Sequence, residues 1–159
     1  MLQTEIDKLN ARLQSAFNTK KLLAHGVVKP VKTDSGQLLY DATDNSRPVT
    51  LEDWPDAQVF YALDDSRVQL VTPRRATEAF DVTAVIYTAL PDFRAFFLSQ
   101  LHALKTAGYE YTGSQNNPNS IVNQFLPGLA NWNHERELYA LNFTITLPVQ
   151  PEACVKTCF

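Results

Sequence analysis

The sequence holds only two cysteines, three histidines and five glycines in 159 residues, and each shortage excludes something. Cys154 and Cys158 stand four apart near the C-terminus, whereas a disulfide scaffold spreads more cysteines through its fold. They read as two reduced thiols on a tail, with a late crosslink as the alternative. His25, His102 and His134 are scattered and give no zinc-ligand spacing, so no metal is expected. Five glycines leave little material for a phosphate cradle, and no Gly-rich nucleotide loop, HExxH, GxSxG or paired CxxC occurs. No cofactor and no catalytic residue is expected. No apolar run approaches the ~20 residues of a bilayer-crossing helix. Met1-Leu2-Gln3-Thr4-Glu5 also lacks the basic-then-apolar pattern of a secretory signal. The expectation is a soluble intracellular protein with no membrane partner. Positive charge is scarce too: 14 Lys and Arg against 17 Asp and Glu give a net charge of −3, which leaves no electrostatic footprint for sequence-specific nucleic-acid binding.

What is present is apolar material, 45% of the residues, enough for one ordinary domain. We read residues 1–148 as that domain and 149–159 as a C-terminal tail. Leu2, Ile6, Leu9, Leu13 and Phe17 repeat at helical spacing and predict an N-terminal amphipathic helix, with Thr4 and Asp7 as its capping pair and Gly26 as its stop. Val28–Val31 and Leu38–Tyr40 read as short strands around a Thr33–Gly36 turn. Ala57–Leu63 reads as a strand, Asp64-Asp65-Ser66 as a turn, and Arg67–Val71 as a return strand closed by Pro73. Phe80, Val82, Ala84 and Ile86 alternate with Asp81, Thr83, Val85 and Tyr87 as a further strand. Pro91 and Asp92 open a second long helix with Phe93, Phe97, Leu101 and Leu104 on its buried stripe and Gly108 at its end. Tyr109-Glu110-Tyr111 is a short strand, and Tyr139, Leu141, Phe143, Ile145 and Leu147 mark the last one. The fold class is α+β: a mixed, mainly antiparallel sheet flanked by the N-terminal helix and the second long helix.

Two regions invite a functional reading. Between Asp41 and Asp65 lie Asp41, Asp44, Glu52, Asp53, Asp56, Asp64 and Asp65 against Arg47 alone, and Arg67, Arg74 and Arg75 follow. These are either two solvated loop regions or a pair of complementary faces that meet on neighbouring copies. Within the acidic stretch, Trp54 reads as packing on the core edge, with Pro55 setting the chain direction. The polar span 113–134, with one helical turn at Ile121–Phe125, is either a binding arm or a segment ordered on assembly. Asp64, Asp65, Arg67, Arg74, Arg75 and Trp132 are the candidate interface residues. His134, Glu135 and Tyr109 would center an enzymatic or small-ligand alternative, although adjacent residues on extended chain point to opposite faces, so His134 and Glu135 make no natural dyad.

The layout carries a resemblance. Trp54-Pro55-Asp56-Ala57-Gln58-Val59-Phe60-Tyr61 is an aromatic-Pro entry into an apolar strand; a long strand from Ala79 to Leu90 runs into Leu90-Pro91 and a helix; Ala107-Gly108-Tyr109-Glu110-Tyr111 follows, and an alternating strand ends the domain. This resembles the tail terminator proteins of long-tailed bacteriophages, the lambda-type and related tail-completion families. The resemblance implies a non-enzymatic virion protein, made in the host cytoplasm, that forms a homo-hexameric ring. Such a ring caps the tail tube protein, stops its polymerisation, and offers a docking surface to a head–tail connector or neck protein; in contractile tails it also meets the sheath protein. The related alternative is that the chain is itself a head–tail connector or neck protein.

Overall fold

The structure, a computed structural model, describes residues 2–17, 20–34, 36–42, 44, 46–104, 108–126 and 132–149. The elements are α1 (Leu2–Ala16), β1 (Leu22–Thr33), β2 (Gly36–Asp41), β3 (Ala57–Thr72), β4 (Arg75–Thr88), α2 (Phe93–Ala103), β5 (Gly108–Gln115), α3 (Pro118–Phe125) and β6 (Glu137–Pro148). The strands form one six-stranded sheet in the order β2-β1-β3-β4-β6-β5. β1 pairs with β3 in parallel, and every other pair is antiparallel. This is the α+β architecture that the periodicities predict.

Alternation on the strands assigns the two faces. Val59, Tyr61, Val82, Ala84, Ile86, Leu141, Phe143 and Ile145 pack under α1 and α2 with Ile6, Leu9, Leu13, Phe93, Phe97 and Leu101. On the opposite face Phe60, Val85, Tyr87, Leu138 and Ala140 pack with Ile121, Val122 and Phe125 of α3. The central strands are therefore apolar on both sides, a pattern the period-two reading of β6 saw on one side only.

Several local expectations are corrected. α1 is already helical at Leu2, so Thr4 lies in its first turn and does not cap it. Gly26 is not a helix stop but part of β1. Its N–H donates to Asp41 Oδ2 at 2.9 Å, and a Cβ there would lie 2.6 Å from the Gln3 side chain, so the strand passes close beneath α1. The Thr33–Gly36 turn closes the β1–β2 hairpin as expected, with Gly36 at φ +123°. Pro30 lies beyond the last β1–β3 pair, Val28 with Ala62, where β1 has no β3 hydrogen bonds to lose. Gly108 opens β5 and does not end α2. Half of the expected polar loop is regular structure: β5 runs to Gln115, and α3 follows because Pro118 occupies its first turn and the Asn117 side chain accepts the N–H groups of Asn119 and Ser120. The tail with Cys154 and Cys158 lies outside the described residues.

Candidate assembly surface

Asp64-Asp65-Ser66 is not a turn. β3 runs through it with a bulge between Leu63 and Asp65, and the chain reverses only after Thr72, which pairs with Arg75. The physical reason is partner length: β4 runs from Arg75 and supplies ladder partners to β3 on both sides of the triplet, so a bulge absorbs it more readily than a reversal would. The outcome is a long β3–β4 arm. Its β3 side loses β1 after Ala62, and its β4 side loses β6 before Thr77. Among the described residues nothing pairs with the outer β3 edge over residues 63–72, which is about 30 Å long at ~3.3 Å per residue.

The arm has two unlike faces. One carries a ladder of polar side chains across three strands. The Thr83 hydroxyl donates to Asp64 Oδ2 at 2.6 Å and lies 2.8 Å from the Asn142 amide oxygen; Thr144 donates to Asp81 Oδ1 at 2.9 Å; Arg67 donates to Asp81 Oδ2. The Arg67 guanidinium, followed by the Thr144 hydroxyl, holds the Asp81 carboxyl below its ordinary range. The other face continues the α1–α2 side of the sheet, because Leu63 pairs with Val82, Ser66 with Phe80, Val68 with Glu78 and Leu70 with Ala76. There no helix among the described residues covers it: Leu63, Val68 and Leu70 are 44%, 62% and 74% exposed, and Val71 in the terminal bulge is 60% exposed.

This placement sorts the candidate interface residues. Asp64 and Arg67 are engaged inside the arm, and Asp65 stands opposite Asp81 on the polar face. Asp41, counted with the acidic stretch, is buried at the Gly26 N–H. Arg74 and Arg75 occupy the arm tip, and among the described residues neither forms an ion pair. Trp132 is half-buried, packs against the α3-side core and meets the His134 ring at a tilt, with centroids 4.6 Å apart.

At the other end of β3 the structure overturns the reading of Trp54. The side chain is 59% exposed while Pro55 is buried. The loop carrying it is tightly held. Arg136 donates through Nη1 to the Pro55 carbonyl at 2.7 Å and through Nη2 to the Asp53 carbonyl, and its guanidinium lies 5.4 Å from the Tyr87 ring centroid. The Tyr87 hydroxyl donates to Asp53 Oδ1 at 2.6 Å; burial, then that bond, raise its pKa to about 12. Asp56 accepts the Lys21 N–H at 2.8 Å. Trp54 is thus displayed outward between Asp53 and Asp56 on a fixed loop. Sequence alone hid this because the aromatic-Pro pair reads equally well as a core edge; the signal was the Arg136 side chain that ties the loop from far along the chain.

The structure does not bring Tyr109 together with His134 and Glu135. Tyr109 pairs with Ile145 and donates to Glu5 Oε2 at 3.0 Å. His134 and Glu135 precede the opposite end of β6, so roughly 27 Å of strand separates them from it. A separate open cleft of about 350 Å³ is lined by Arg94, Arg136, Glu137 and Tyr139. There the buried Tyr139 hydroxyl has no hydrogen-bond partner among the described residues, while Arg94 donates to Ser114 and to Tyr111. No protein-family model matches this sequence, and no curated protein shows significant similarity to it.

Proposed function

We propose that the chain is a structural subunit of a bacteriophage tail, a tail terminator that forms a ring on the tail tube, stops its growth and presents a surface to the head or neck. The observation that supports this reading is the apolar face of the arm, which no element among the described residues covers. A monomer gains nothing by holding Leu63, Val68, Leu70 and Val71 in water on a long open strand edge; such surfaces mark association and invite uncontrolled pairing when unused. A ring above a dimer needs two different surfaces on each copy, and the arm supplies one of them. The role is assembly rather than catalysis, with a second copy, the tube protein and a neck protein as partners.

The test is light scattering after size exclusion across a concentration series, with negative-stain images of the same fractions. Closed rings that bind the ends of polymerised tube protein support the reading. A monomer at every concentration that also ignores tube ends overturns it.

A further inference from the structure

The ring reading leaves open what receives the arm, and two patches on this chain fit each other. At the tip, exposed Leu70 and Val71 adjoin Arg74 and Arg75, cations without an ion pair among the described residues. At the start of the same strand, exposed Trp54 stands between Asp53 and Asp56. One patch is apolar and basic, the other aromatic and acidic. They lie at opposite ends of β3, about 50 Å apart along its 16 residues, so one copy cannot join its own two patches.

We propose, on the basis of the ring reading above, that the arm tip of one copy docks on the Trp54 loop of the next. The argument is complementarity plus rigidity. Trp and Arg are the side chains that dominate binding energy when they become buried at a contact, and an Arg planar group stacks favourably on an indole. The Arg136 bonds to the Asp53 and Pro55 carbonyls fix the loop beforehand, so little ordering entropy is lost when the partner arrives. Asp53 keeps 62% of its side chain in solvent despite its contact with Arg136, which leaves its outer oxygen open to an incoming cation. Because the two patches differ, the contact is head-to-tail, and its repetition closes into a ring or continues as a filament.

The test uses two variants of the full chain. Arg74→Glu with Arg75→Glu spoils the tip and leaves the loop; Trp54→Ser spoils the loop and leaves the tip. Circular dichroism and melting curves first establish that both fold as the parent does. Sedimentation velocity then measures assembly of each alone and of an equimolar mixture. Head-to-tail docking predicts that each variant alone loses the large species, while the mixture gives a dimer through its one intact tip and one intact loop. A Trp54→Ser protein that assembles like the parent overturns this contact while leaving the ring intact. A mixture that stays monomeric overturns it as well. A parent chain that is monomeric throughout, with or without tube protein, overturns the ring reading itself.

Discussion

His25 shows how much a single side chain inherits from its surroundings. Next to Gly26, the expected helix stop, it lies instead in β1, 3% exposed, with Nε2 at 3.2 Å from Gln58 Nε2 and Nδ1 at 3.8 Å from Asp41. Burial, helped by Arg47 and opposed by Asp41, brings its pKa from 6.5 down to about 4. The folded state therefore holds His25 neutral where the unfolded chain would protonate it. Between pH 6.5 and 4 the unfolded state binds more protons, so this residue makes stability fall as the pH is lowered through that window. Melting temperatures across the window should decline, and His25→Gln should flatten that decline; equal slopes for the two proteins would remove His25 as the cause. None of this was legible from the sequence, since Gln58 and Asp41 meet His25 only through the sheet.

Elements were legible where one period dominates a long run. The stripe Ile6, Leu9, Leu13 gave α1, and the alternation from Tyr139 to Leu147 gave β6, because burying one face fixes the register. Truncating the middle of that run, Leu141→Ala, should cost about 2–5 kcal/mol in urea unfolding, since the residue is 0% exposed and touches the core under both helices. Elements were lost where a short polar signal competes with a distant partner. The triplet 64–66 has turn chemistry, yet β4 holds it in a strand; the sequence around 113–126 has loop composition, yet α3 forms because Ile121, Val122 and Phe125 find the second face of the sheet. The Asn117 cap is the local half of that decision. Asn117→Ala should destabilise by about 1 kcal/mol, with hydrogen exchange quickening at Ile121 and Val122 more than in β6. A uniform change across the protein would show that α3 does not depend on its cap.

At the scale of the whole molecule, one strand organises the surface: β3 begins at an acidic loop bearing an exposed tryptophan and ends at a basic tip bearing exposed aliphatic residues. The sequence offered the charges but paired them too broadly, because Asp64 and Arg67 are spent within the arm and Asp41 within the core. What remains is a contact with separable electrostatic and apolar parts, and salt separates them. The Debye length falls from ~10 Å at 0.1 M to ~3 Å at 1 M, so charge attraction between Arg74 or Arg75 and the Trp54 loop fades over that range while apolar burial persists. Assembly of the parent chain should therefore require several-fold more protein at high salt. Arg74→Ala with Arg75→Ala should assemble more weakly at low salt and show almost no further salt dependence. Leu70→Asn should weaken assembly at every salt concentration by a similar factor and keep the parent's slope. None of these exposed positions should alter monomer stability by more than about 0.5 kcal/mol, which melting curves check. If the double alanine variant keeps the full salt slope, the arginines face water in the assembled protein, and the acidic partner must be sought elsewhere on the subunit.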